Sequence, residues 1–480
     1  MSDDPDSLEV PQLDGLARPV RSPLMLTGGA SDRRGSGAQA LNEIAAVLLA
    51  LVTLVSAVPL GSGRPLWVMG FATLISAVGT LYGVGLLMVG GKLRRAVAPL
   101  LPEALIWCVF TAALGAQLMP LVPLWPGLAA TLGGEALLQS QLSLDPGETG
   151  QMLIAMLAIA LLFYLTAQVA ANRARARLLM RLIFAGLVAY AAYGLLALTQ
   201  FGDTLLGFKK TTYLGFATGT FVNRNSFATF LAMGLALGAA IGVDTLLRPT
   251  RDGWVGRALR VGIVVACEAL LLITLLATGS RMGATAAVTG LIVVLVPGIA
   301  ALRPRLGQIA LILVGLVLAA LLVLALFGES LLSRAIVQSL TEDARVELHR
   351  GVWAAIWQRP WFGYGGGSFA SVFPAFSPAD LAGDLIFDRS HSTYLALWFE
   401  MGLVVGSLPM LMVLIMAGRL VRRVLDGSER MTALGALGVI GVVAVHSLMD
   451  FSLEIYANAL LFTFILALGV AGTRATKRSA

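Results

Sequence analysis

Uncharged apolar runs of about 20 residues recur along the chain, each closed by a short polar segment rich in Arg, Gly, Pro or Asn. A helix of that length crosses a hydrocarbon layer of about 30 Å. The pattern predicts twelve spans, near residues 41–61, 66–91, 104–124, 151–171, 182–200, 226–247, 261–279, 282–302, 308–327, 393–417, 432–449 and 455–473. The expected fold class is an all-α polytopic membrane bundle. Residues 1–40 are rich in Asp, Pro, Gly, Ser and Arg without an apolar period, and they read as a disordered tail. Residues 474–480 form a second short tail, and residues 328–392 make the one long connection, between spans nine and ten. The first apolar run begins near Leu41, too late and too long for the core of a cleavable signal, so none is expected.

Composition strengthens this picture. Of the 480 residues 58% are hydrophobic and 13% charged, where a soluble domain carries about one-quarter charged residues. The bilayer is therefore the main solvent. Cys108 and Cys267 lie inside apolar runs, far apart in sequence, and read as small buried hydrophobes.

The basic residues give the chain an orientation. With the N-terminus cytoplasmic, 24 of the 34 Lys and Arg fall in the cytoplasmic connections and tails. The opposite face has fewer although it owns the longest loop, so both termini are expected inside. The formal net charge of +7 then reflects loops anchored to an anionic leaflet, and no nucleic-acid partner is expected. Ten basic residues break the rule: Arg64, Lys209, Lys210, Arg224, Arg281, Arg334, Arg345, Arg350, Arg359 and Arg389. Positive charge kept on the outer face asks for a reason, and an anionic substrate supplies one.

Three outer segments hold nearly all of these. The first, FGDTLLGFKKTTYLGFATGTFVNRN (residues 201–225), carries Lys209, Lys210 and Arg224. Its asparagines suit a helix cap, while Arg224 at a helix N-terminus opposes the macrodipole and calls for a compensating anion. The second is the tight turn in LLATGSRMGATAA, where Arg281 is flanked by Gly279, Ser280 and Gly283. Arg281 either snorkels to the interface or meets a bulky polar group that its small neighbours admit. In the third, Ser339 and Glu342 have capping-box spacing at the head of a helix that ends before Pro360. On it Arg345 and His349 share a face, and Trp353, Ile356 and Trp357 form an apolar side suited to a membrane surface. GYGGG (residues 363–367) follows no strand and reads as a flexible bend rather than a nucleotide loop.

Only three histidines occur, His349, His391 and His446. His391 precedes Tyr394, Trp398 and Glu400 at the mouth of span ten, either as part of an interfacial aromatic belt or as a general base. The base is the preferred reading, since basic neighbours such as Arg389 keep imidazole neutral. No HxH or HxxxH pair exists, so no metal site is expected. His446 and Asp450, four apart, read as a structural pair.

The segments FVNRNSFATFLAMGL, ATGSRMG, ARVELHRGVW to RPWFGYGGGSF, HSTYLALWFEMGL and HSLMDFSLEIYANALLF, in that order, resemble the O-antigen ligase and O-antigen polymerase family of bacterial membrane glycosyltransferases. The resemblance spans about residues 140–470. It implies a glycosyltransferase-C-like bundle with a large periplasmic loop between spans nine and ten. It also implies an undecaprenyl-pyrophosphate-linked glycan as donor, a glycan or lipid A-core acceptor, and no metal or other cofactor. Location in the inner membrane follows, with polysaccharide chain-length or export proteins as further partners. Arg224 and Arg281 correspond to pyrophosphate ligands, Arg345 to a further basic contact and His391 to the base. The expected catalytic set is therefore His391, Arg281 and Arg224, with Arg345, Arg350, Lys210, Arg389 and Tyr394 binding substrate. Many relatives have Asn after the histidine, where this chain has Ser392.

The chemistry expected is direct displacement with inversion, helped by arginine forks on the diphosphate leaving group. A polymerase joining lipid-linked repeats would use the same donor, and the residues do not separate it from a ligase. A transporter or flippase is the rival from another class. The unusual charges cluster at one face rather than at the midplane, which favours the enzyme.

Overall fold

The computed structural model describes residues 28–91, 93, 98–121, 140–248, 253–302, 345–376, 387–427 and 430–471. Eight helices are long and apolar enough to cross a membrane: α1 (Gly28–Val55), α2 (Pro65–Met88), α3 (Leu101–Gln117, preceded by a 3-10 turn from Ala98), α4 (Pro146–Val169), α5 (Arg173–Thr199), α6 (Arg224–Leu247), α7 (Gly253–Ala277) and α8 (Arg281–Leu302). Helix α9 covers residues 345–358, and α10 (Phe369–Val372) is a single turn. Next come α11 (Thr393–Gly406) and α12 (Leu408–Leu425), which together pass as one span bent by 71°. The last helices, α13 (Arg430–His446) and α14 (Tyr456–Val470), are apolar but only 17 and 15 residues long. A two-residue hairpin pairs Thr204–Leu205 with Phe208–Lys209.

Several boundaries differ from expectation. Helix α1 starts at Gly28, inside the stretch read as a tail. The span expected at 308–327 and the Ser339–Glu342 capping box lie outside the described residues. The count of twelve therefore reduces to eight spanning helices and one bent pair among the described residues. The span expected as continuous over 393–417 is interrupted at two places: at Gly402, whose positive φ (76°) a helix interior does not accommodate, and between Gly406 and Leu408, where the two limbs part.

The core is built around α6. Its run of Ala, Gly, Leu, Met and Phe is buried on every side, against α5, α7, α8 and α13. Small residues let these helices approach closely, as membrane helix packing requires where apolar side chains gain nothing by leaving lipid. At the α8–α13 crossing Gly290 meets Val442 and Gly438 meets Val294, with Ala236 of α6 beside both.

The GYGGG run is not a hinge. Tyr364 and Gly365 donate backbone N–H groups to the carbonyls of Phe399 and Glu400 (both 3.0 Å), and Gly366 N–H donates to Gln117 Oε1 (3.0 Å). A Cβ at Gly363 would strike the backbone of Glu400, and one at Gly402 the carbonyl of Trp361. Two backbone segments cross in contact here, with no room for side chains. Leu403, freed from the helix ladder by the break, donates its N–H to Pro360 O (2.7 Å). The crossing thus satisfies polar groups that the broken span would leave exposed to lipid.

Candidate active site

The ends of α5, α6, α7, α8, α11, α13 and α14 that carry the candidate residues gather at one end of the bundle. In the loop before α6, Lys210 is buried and ion-paired with Asp203 (2.6 Å), and it also donates to Phe216 O (2.7 Å). The other Asp203 oxygen accepts from Gly215 N–H (2.7 Å). These bonds fold the loop so that Tyr213 and Phe216 face Arg224. Lys210 braces the loop from within.

Asn223 caps α6, its Oδ1 accepting from the N–H groups of Asn225 (2.7 Å) and Ser226 (3.4 Å). Arg224 then lays its guanidinium over the Phe216 ring (4.1 Å to the centroid) and near Tyr213 (5.7 Å). A Cβ at Gly279 would stand 3.1 Å from Arg224 Nη1, so the α7–α8 turn lies directly against this guanidinium. Two residues further, Arg281 opens α8 and is exposed. Ser280 Oγ caps that helix by accepting from Gly283 N–H (3.1 Å).

His391 sits in the short approach to α11, with a left-handed backbone (φ 53°) unusual for a residue with a side chain. Its neighbours hold it there. Ser392 Oγ caps α11 by accepting from Leu395 N–H (3.5 Å) and donates to Ser447 O (3.1 Å), while Thr393 N–H donates to the same carbonyl (3.1 Å). The imidazole meets Phe451 edge-on at 5.0 Å, and its buried Nδ1 has no hydrogen-bond partner among the described residues. From α9, His349 reaches the backbone of His391 and Ser390. Below lies a buried chain in which Ser452 Oγ donates to Asp450 Oδ1 (2.9 Å) and stands 3.3 Å from His446 Nδ1. The helix ends at His446, so the expected direct His446–Asp450 pairing along one face gives way to this serine bridge.

Electrostatics ties the parts together. Burial, and then Arg345, lower the His391 pKa from 6.5 to about 4, with His349 adding to the effect and Asp450 and Asp388 opposing it. Burial is also the first cause of the lowered His349 pKa, with Arg345 adding to it against the backbone bonds to His391 and Ser390. Tyr213 is raised, first by burial, and it feels Arg224, Asp450, Arg345 and Asp388 in turn. One phenol therefore stands within electrostatic reach of both the Arg224 end and the His391 end. Both imidazoles are neutral at pH 7, able to accept a proton, and cations stand beside them.

The expected residues divide accordingly. Arg224 and Arg345 both act on Tyr213, Arg345 also acts on His391, and Arg281 lies at the turn adjoining Arg224. Burial works against the charge of Arg389, but its ion pair with Glu454 (2.9 Å), together with Asp388 and Glu400, leaves its pKa raised. Tyr394 donates to Ala444 O (2.9 Å). Both tie α11 to the α13–α14 end. Arg350 is exposed and paired with Glu347 (2.6 Å). The expected set omitted Tyr213, His349, Phe451 and Asp450. Sequence order placed His349 and Asp450 near candidates, whereas nothing in the spacing of the loop marks Tyr213. Among the described residues no group of three His, Cys, Asp or Glu has the arrangement of a metal site.

A multi-pass helical membrane protein with an imidazole–arginine site at one end of its bundle is the class these features define. Residues 266–410 match the family model described as O-antigen ligase, a stretch that takes in the α7–α8 turn, α9, the glycine crossing and His391. That match supports the resemblance to the O-antigen ligase/polymerase family over this part of the chain. A comparison with curated proteins gives no match.

Proposed function

We propose that this protein is a membrane glycosyltransferase of the O-antigen ligase type. It transfers a glycan from an undecaprenyl-pyrophosphate-linked donor to an acceptor hydroxyl on the periplasmic side of the bacterial inner membrane, with both termini cytoplasmic. The observation that carries the reading is that Arg345 acts on both His391 and Tyr213, the phenol beside which the Arg224 guanidinium lies.

In this reading Arg224, Arg281 and Arg345 hold the donor diphosphate. Transfer breaks the bond between the anomeric carbon and the phosphate oxygen, and the electron pair leaves with the lipid diphosphate. Fixed guanidinium groups meet that growing charge where it develops. The acceptor oxygen attacks from the opposite face, so the anomeric configuration inverts, and its proton passes to the neutral imidazole of His391. The low pKa of His391 belongs to the protein without substrate. A bound diphosphate offsets the positive potential of Arg345 and brings the imidazole nearer to neutrality, where a base works best.

The test is transfer in proteoliposomes loaded with lipid-linked glycan and acceptor. His391→Ala is expected to bind donor yet lose turnover, and near-normal turnover would remove the assignment. A product that retains the donor's anomeric configuration would exclude single displacement. Surface polysaccharide from a deletion strain separates ligase from polymerase: long lipid-linked chains that never reach their acceptor indicate the former, single capped repeats the latter.

A further inference from the structure

Helix α9 turns one apolar face inward, where Leu348, Val352, Ala355 and Ile356 pack with Tyr364, Phe369, Phe373 and Phe399. Its tryptophans do not join that core. Trp353 is 42% exposed, Trp357 58%, and Trp361, just beyond the helix end, 66%, with Phe362 beside it at 37%. A loop bathed in water has no use for three tryptophans in a row on its outside.

Their height in the bundle identifies what covers them. Gln117, the last residue of α3, donates from Nε2 to Phe362 O (2.9 Å). From Ala98 to Gln117 the span has 20 residues, about 30 Å at a helical rise of about 1.5 Å per residue, which matches the hydrocarbon thickness. Trp361 and Phe362 therefore sit at the level where the apolar layer ends. Trp353 meets Trp357 edge-on (5.9 Å) and Trp398 of α11 (6.0 Å), so the aromatic face continues directly onto a spanning segment. Trp67, 40% exposed in the first turn of α2, stands at the same end of the bundle. Tryptophan is enriched at this boundary because its ring takes apolar surroundings while its N–H keeps a polar contact.

We propose that the Trp353–Trp357–Trp361 face docks α9 in the plane of the membrane, at the boundary between lipid headgroups and acyl chains, as an interfacial helix rather than a solvated periplasmic one. Arg345 and His349 ride on the same helix. Given the function proposed above, docking sets them at the depth where a lipid-linked diphosphate emerges from the bilayer.

The experiment compares the full chain with the W353F/W357F/W361F variant in phosphatidylcholine vesicles whose acyl chains are brominated either near the headgroup or near the methyl end. The fluorescence lost on substitution is expected to be blue-shifted and quenched most by the shallow bromines. Difference emission that is red-shifted, quenched by aqueous acrylamide and blind to brominated lipid would overturn the proposal. So would emission that answers only to dilution of the protein in the bilayer, which would mean a second copy covers the face. Phenylalanine keeps the apolar packing, and acrylamide quenching of the unmodified protein gives a reading without any substitution. Because quenching needs no turnover, docking and function fail separately: bromine-insensitive tryptophans sink the docking even if His391→Ala is inactive, and an active His391→Ala sinks the function even if quenching holds.

Discussion

His391 is neutral at pH 7 because burial and Arg345 both oppose its protonated form. The sign of the pH dependence follows. In the free protein kcat/KM should hold down to about pH 5 and fall as the imidazole protonates toward its value of about 4. Replacing Arg345 by Gln removes a cation that lowers this pKa, so the acid limb should move to higher pH, which a pH–rate series measures directly. On the role proposed for His391, its replacement by Ala should lower kcat by roughly 100- to 10,000-fold while donor binding persists. His349→Ala takes away the side chain that reaches the backbone of His391 and Ser390. A loss of turnover larger than the loss of donor affinity is expected. Ser392 caps α11 through its hydroxyl. Asn is itself a strong cap, so Ser392→Asn should retain activity within a few-fold.

Between elements, the backbone crossing of residues 363–367 with 399–403 decides how α11 presents His391. Gly402→Ala would require a left-handed alanine whose Cβ strikes the Trp361 carbonyl. It should cost about 2 kcal/mol or more, seen as a lower melting temperature in detergent. This is also where sequence reasoning reached its limit. The starts of α6 and α8 were legible within two residues, because Asn223 and Ser280 cap unbroken apolar runs. The break in α11 was not, since Gly402 looks like any glycine in a membrane helix until its φ is known. The glycine run read as flexible for a related reason: sequence shows the freedom of glycine but not the backbone pressed against it. In the site, charge asymmetry singled out Arg224 and Arg345 as candidates, and the scarcity of histidine singled out His391. Charge asymmetry could not tell those arginines from Lys210 and Arg389, whose carboxylate partners Asp203 and Glu454 are joined to them only by loop folding and by helix packing.

Taken whole, the bundle has a site end and an opposite end where Arg419, Arg422 and Arg423 close α12. A cysteine replacing the exposed Arg350 should react with a membrane-impermeant maleimide in intact spheroplasts, and one replacing Arg422 only after permeabilisation. The reverse pattern would invert the proposed orientation. The 71° corner between α11 and α12 looks at first like a joint. Yet α3 is fastened to both limbs, through Gln117 to the Glu400 carbonyl of α11 at one end and through Glu103 to Arg419 of α12 at the other. Three struts pinned this way make a triangulated truss, and a truss cannot fold at its corner unless a fastening gives. The span that carries the histidine is therefore crooked but stiff, and cutting the Glu103–Arg419 tie is what would turn its elbow into a working hinge.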